Sequence, residues 1–165
     1  MRVLMKLIPL LLCALCAFVG NIQAQNSFVT KTILVNNDGW ANNSVNTVIF
    51  RKNSLCSFGN TQYISYYNND GFVVLGKRKL SARKWELQTT NLKGNVADAH
   101  NSISIMTDGD GYLHMTWNHH GNALHYCKSI TPGSLQMTPE MQMTGFLEKK
   151  VTYPEFHSLP NGNLL

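Results

Sequence analysis

The chain has 165 residues, about one domain's worth, with 44% hydrophobic, 14% charged and 10% aromatic residues and a mean hydropathy of −0.15. So few charges, beside abundant Asn, Gly, Ser and Thr, exclude charge-driven disorder, a coiled coil and a helical bundle built from Glu, Lys and Ala. The formal net charge is +5, part of it in the first residues.

Residues 1–24 read as a secretory signal peptide. Arg2 and Lys6 make a positive start, Leu7 to Val19 an apolar core, and Ile22-Gln23-Ala24 a small-residue end before Gln25. The apolar run is shorter than the ~20 residues that span a bilayer. Neither Cys13 nor Cys16 follows a small residue, so lipoprotein-type cleavage is not expected. The expected location is therefore secreted or periplasmic, with no membrane span after cleavage.

Cleavage leaves 141 residues with 12 Lys+Arg against 9 Asp+Glu. That surplus is too small and too scattered for nucleic acid, the longest basic run being Lys77-Arg78-Lys79, and it suits an anionic polysaccharide. Cys56 and Cys127 remain. An oxidising compartment permits one disulfide between them, and two buried free thiols are the simpler expectation.

Short β-branched and aromatic runs separated by Asn, Asp and Gly predict hairpins rather than helices. Thr61 to Asn68 alternates, Asn69-Asp70-Gly71 turns, and Phe72 to Lys79 returns. Ser102 to Thr107 leads through Asp108-Gly109-Asp110-Gly111 to Tyr112–Trp117, then through a His-His-Gly-Asn turn to Ala123–Ser129. Pro132-Gly133 turns the chain again before Leu135 to Met137, and Tyr153 to Leu165 begins the cycle once more through Pro160-Asn161-Gly162.

The strand starts recur. Asn46-Thr47-Val48, His100-Asn101-Ser102 and Thr152-Tyr153-Pro154 place Asn46, His100 and Tyr153 at intervals of 54 and 53 residues. Four-stranded units repeating every ~40–50 residues predict an all-β fold, a β-propeller, with an ordinary β-sandwich as the alternative. Propellers close with about 4–8 blades. Residues 25–165 supply only the first two to three, so the expectation is the N-terminal part of a longer propeller. Alone, that part is expected to be inactive and prone to aggregate through its open sheet edges.

In a propeller, residues at the start of the innermost strands converge on one mouth of the central channel. The repeat register puts Asn46, His100 and Tyr153 there. A second cluster, Trp117-Asn118-His119-His120-Gly121-Asn122, follows a strand of the same repeat as His100. Adjacent side chains on extended backbone point to opposite faces, so one of His119 and His120 faces the mouth and the other faces away. No HExxH occurs and no carboxylate stands at ligand spacing, so no metal site is expected. His114 and His125 lie within strands and read as structural, and His157 carries no signal.

Several motifs carry a resemblance in order. They are Gly39-Trp40-Ala41-Asn42-Asn43-Ser44-Val45-Asn46, Asp98-Ala99-His100-Asn101, Asp108-Gly109-Asp110-Gly111-Tyr112-Leu113-His114, Trp117-Asn118-His119-His120 and Val151-Thr152-Tyr153-Pro154-Glu155-Phe156. Together, over residues 36–165, the chain resembles the BNR-repeat family of secreted bacterial propellers, which includes ulvan lyases and related seven-bladed polysaccharide lyases. An intact Asp-box is missing, and after residue 24 only Arg51, Arg78 and Arg83 are present, too few for a sialidase arginine triad.

The resemblance implies β-elimination on a uronate-containing, ulvan-like glycan of rhamnose and uronate. His100 matches the family's catalytic histidine and Tyr153 its catalytic tyrosine. His120 matches a second histidine that binds and neutralises the uronate carboxylate. Asn46, Asn101 and His119 stand beside these as substrate-binding candidates. Removing a weakly acidic proton beside a carboxylate needs charge neutralisation, a base and an acid on the leaving oxygen.

Relatives carry a carboxylate-gripping arginine a few residues beyond the position of Leu165, and many differ near Asn118. No cofactor is expected in this segment, and a structural metal ion in later blades is compatible with the resemblance. A glycoside hydrolase on the same propeller, an α-L-rhamnosidase or sialidase-like enzyme, and a non-catalytic glycan-binding protein are the alternatives. All six histidines lie from position 100 onward, which disfavours a rhamnosidase histidine in an earlier blade.

Overall fold

The computed structural model describes residues 31–47 and 53–165. The segment read as a signal peptide and Val48 of the first strand start lie outside the described residues. Every regular element among those described is a β-strand.

The first sheet is a four-stranded antiparallel meander of β1 (Leu55–Phe58), β2 (Thr61–Tyr67), β3 (Phe72–Lys79) and β4 (Glu86–Lys93), in that spatial order. β2 alternates as expected, burying Tyr63, Ser65 and Tyr67. The turn into β3 is built by Asn68, whose Oδ1 accepts the backbone N–H groups of Asp70 and Phe72, with Gly71 at φ +78°. β3 buries the continuous run Val73–Leu75, as a strand covered on both faces does. β4 went unpredicted because ELQTTNLK has no apolar alternation and stays half-exposed.

The second sheet joins β5 (Ser104–Thr107), β6 (Leu113–Thr116) and a later strand, Tyr126–Lys128. A bridge between Ser129 and Met137 extends it outward. The expected His-His-Gly-Asn turn instead forms a short strand, β7 (His120–Asn122), so Tyr126–Lys128 is β8. β7 pairs with β9 (Val151–Thr152), the first strand of the third repeat. That repeat ends in a hairpin about Pro160-Asn161-Gly162, closed by the Ser158–Leu164 bridge.

One apolar cluster lies between the two large sheets. Tyr63, Tyr67, Val73 and Leu75 of the first sheet meet Ile103, Ile105, Leu113, Met115 and Trp117 of the second. Cys56 and Cys127 belong to it as buried free thiols, and burial pushes them up to about 11 and about 12 respectively. Between the second and third repeats Phe156 packs against His114 and Tyr126, and part of the join is backbone on backbone. Gly109 N–H donates to the Gly162 carbonyl at 2.7 Å, and a Cβ on Gly109 would stand 2.8 Å from Gly162 Cα.

Two expected strand starts are displaced. Asn46 lies in a turn in which Thr47 N–H donates to the Ser44 carbonyl, and His100 lies in another, ahead of Ser104 where β5 begins. The 53–54-residue spacing therefore marks turns and a bend rather than first strand residues. Among the described residues no helix is long and apolar enough to cross a membrane.

Candidate functional site

The loop that presents His100 is held by side-chain amides and one carboxylate. Asn95 N–H donates to Asn118 Oδ1 at 2.7 Å, and Ala97 N–H donates to Asn95 Oδ1. Asp98 then makes an Asx turn, its Oδ1 accepting the His100 backbone N–H at 2.9 Å. Asn118 is left-handed at φ 63°, a conformation asparagine tolerates better than most residues, and its carbonyl accepts from Asn122 Nδ2. Asn118 thus turns the chain after Trp117 and pins the 95–98 loop.

Asn122 Oδ1 in turn accepts the His120 N–H at 2.8 Å, and the β7–β9 pairing sets His120 opposite Thr152. Tyr153 follows at once, with φ 57°. A left-handed tyrosine is strained and persists only where its surroundings hold it.

These loops bring three rings together. His100 and His120 stack with centroids 4.4 Å apart, and Tyr153 lies 5.9 Å from His100 and 6.1 Å from His120. Both imidazoles are about half exposed, at 49% and 47% of their side-chain surface. Asp98 lies against them. His100 Nδ1 is 2.5 Å from its Oδ1, and His120 Nδ1 is 2.7 Å from its Oδ2. The His100 backbone N–H, then the two imidazoles, hold the Asp98 carboxyl well below the usual carboxylate range.

Sequence reasoning did not assign Asp98 a role, and the expectation that no carboxylate stands at ligand spacing is corrected by its position. The available signal was local: an aspartate two residues before a loop histidine forms an Asx turn that returns its carboxylate to that histidine. Asp98, His100 and His120 offer donor atoms within 4.8 Å of one another. Each Nδ1 lies at hydrogen-bond distance from the carboxylate, and the same three groups could hold a metal ion. The arrangement is that of a hydrogen-bonded trio.

The remaining candidates are occupied within the fold. Asn46 Nδ2 donates to the carbonyls of Trp40 and Tyr67, and its Oδ1 accepts the Tyr67 N–H. Asn101 is buried, donates to the Asn95 carbonyl and accepts the Tyr67 hydroxyl on its own carbonyl. His119 is buried on the opposite side of the chain from His120. Its Nε2 accepts the His125 N–H at 2.7 Å, and its Nδ1 has no partner among the described residues. Burial, then the neighbouring His125, push His119 down to about 4, so it is neutral at pH 7.

His114 bridges Tyr126 and Asp108, and His125 bonds Glu140, both as structural links. Open concavities lie elsewhere: one of about 460 Å³ lined by Thr61, Tyr63, Lys77, Arg78 and Glu86, and one of about 670 Å³ between Gln88–Leu92 and Gln136–Glu140, contain none of the clustered rings. The two imidazoles stand half-exposed at the seam between repeats.

A family model for BNR repeat-containing family members matches residues 61–165. Two solved structures are similar to the chain, each with a TM-score of 0.53. One is an ulvan lyase of polysaccharide lyase family PL25, at 15% identity. The other is the ulvan lyase bound to -[GlcA(1-4)Rha3S]-, at 14% identity. Each match covers 79% of this chain and 32% of the solved chain, so the chain spans about a third of the length of the structures it matches. At that identity the likeness speaks to the fold: an all-β chain matching about a third of a propeller lyase. No curated protein matches the chain in sequence. With more than half of its residues under the family model, the chain belongs to the BNR repeat-containing family.

Proposed function

We propose that the protein is a secreted polysaccharide lyase, exported by residues 1–24, that cleaves a uronate-containing glycan by β-elimination on a seven-bladed propeller. The observation that carries this reading is the convergence of His100, His120 and Tyr153 from two successive repeats onto the seam between them. The similar lyase bound to a glucuronate–rhamnose sulfate oligosaccharide supports the choice of an acidic polysaccharide.

In this reaction a neutral His100 accepts the proton beside the uronate carboxylate. The electron pair left behind forms the new C=C bond as the C–O bond to the leaving sugar breaks. The Tyr153 hydroxyl supplies the proton to that oxygen, and a protonated His120 faces the carboxylate whose charge grows in the transition state. Both histidines stand within ring contact of the tyrosine, as a concerted transfer on one sugar requires.

The test uses the complete gene product on a panel of acidic polysaccharides. Lyase products carry a conjugated double bond and absorb in the ultraviolet. His100→Ala and Tyr153→Phe are expected to remove most turnover with a smaller change in KM, and His120→Ala to impair both. Release of saturated reducing ends alone would indicate a hydrolase, and glycan binding without product would indicate a binding protein. Either result, or near-wild-type turnover in His100→Ala, overturns the reading.

A further inference from the structure

We infer that Asp98 is the positioning residue of this site: one carboxylate that fixes both imidazoles with Nδ1–H turned onto it and Nε2 turned away. Its chemical role in turnover rests on the lyase reading.

An ionised carboxylate only accepts hydrogen bonds, so any ring nitrogen bonded to it carries the hydrogen. His100 Nδ1 and His120 Nδ1 meet separate oxygens of Asp98, at 2.5 and 2.7 Å. Both rings are therefore held as the Nδ1–H form, the minor tautomer of free histidine in water. The nitrogen left for chemistry is Nε2 in each case. For His100 that means a lone pair ready to take a proton. For His120 it means that a second proton, on Nε2, makes an imidazolium able to donate to an anion while its Nδ1–H stays on Asp98.

The same carboxylate also answers for charge. When His100 takes the substrate proton, the new cation is already in contact with Asp98, so no group needs to move in to stabilise it. Asp98 is fixed for this by its own turn: the His100 backbone N–H binds Oδ1, and the Asn101 N–H binds the Asp98 carbonyl. The residue that orients the base is thus part of the loop that presents it. The stacked rings, 4.4 Å apart, share one counter-charge.

The experiment is ¹⁵N NMR of the imidazoles in the complete gene product, in mildly alkaline buffer, with the two rings assigned by their loss in His100→Ala and His120→Ala. The wild type is expected to show Nδ1–H on both. Asp98→Asn keeps an oxygen for the Asx turn and so retains the fold, checked by its melting transition, but offers an N–H to at least one ring. That ring is expected to switch to Nε2–H. Turnover should fall roughly 10²–10⁴-fold, the range of general acid–base catalysis, with KM altered only a few-fold. Asp98→Glu, which keeps the charge on a longer arm, should recover only part of that turnover.

A neutral ring of the wild type with its hydrogen on Nε2 and none on Nδ1 overturns the inference. So does an Asp98→Asn variant with unchanged tautomers and turnover. If the wild type releases no unsaturated product from any acidic glycan, the lyase reading falls, while the tautomers of the wild type still decide the positioning role of Asp98.

Discussion

Acidification should destabilise the fold through His119, and the size of the effect follows from its burial. The ring is 1% exposed, its Nε2 accepts the His125 N–H, and burial sets its folded value at about 4 against an ordinary 6.5. A depressed histidine value means that the unfolded chain takes up its proton first. Above about pH 6.5 neither state is protonated here and the site costs nothing. Between about 6.5 and 4 the unfolded state binds more protons, so stability falls as the pH drops. Below 4 the loss is complete, at about 3 kcal/mol for the difference between the two values.

His119→Gln retains an acceptor for His125 N–H but does not titrate. Urea unfolding of the complete gene product and of this variant, in steps from about pH 8 to about pH 4, isolates the effect. The His125–Glu140 contact beside it is common to both proteins and drops out of the comparison. The difference in stability between wild type and variant is expected to shift by about 3 kcal/mol in favour of the variant over that range. A difference that stays constant with pH would refute the argument, because it would mean that the buried ring accepts its proton as easily as a solvated one.

Gly109→Ala should destabilise by about 1–3 kcal/mol, read as a lowered denaturant midpoint, because the added methyl meets Gly162 backbone that has no flexible end to yield. Unchanged stability would show that the two turns part freely. Asn46→Ala should cost a similar ~1–3 kcal/mol by removing the acceptor of the Tyr67 N–H and a donor to the carbonyls of Trp40 and Tyr67, the latter keeping only the Trp40 N–H. Glycan affinity of the folded variant, measured by calorimetry, should be unchanged. Weaker binding at unaltered stability would return Asn46 to the substrate site.

The strands legible in the sequence were those beside a marked turn, whether alternating like β2 or continuously apolar at the start like β3. Thr61–Tyr67 and Phe72–Lys79 flank Asn69-Asp70-Gly71 and appear nearly residue for residue. β4 escaped because both of its faces are only partly covered, so no alternation was written into it. The repeat spacing located the right loops, while β5 begins four residues after His100 because the Asx turn at Asp98 occupies the chain first. Choosing between His119 and His120 needed three dimensions. Gly121 at φ +83° and the bulge beside it decide which ring reaches the seam, and neither can be read from the order of residues. Asp98 was hidden for the opposite reason. Its partners are two and 22 residues away, one set by a local turn and the other by tertiary folding.

β7 leaves its own sheet to pair with β9, and this has a consequence for how the protein can fail. His100 and His120 belong to one repeat and share an anchor in Asp98, whereas Tyr153 is carried by the next. The separation of Tyr153 from His100, acid and base in the proposed reaction, is therefore set by the alignment of neighbouring repeats, through the two-residue β9, the Gly109–Gly162 contact and Phe156, whose N–H binds Ser104 Oγ. A lesion far from the rings that tilts one repeat against its neighbour would widen that separation while each repeat kept its own hydrogen bonds. The proposed turnover would then vanish from a protein that still looks folded by circular dichroism, and the 5.9 Å between His100 and Tyr153 would be the first quantity to change.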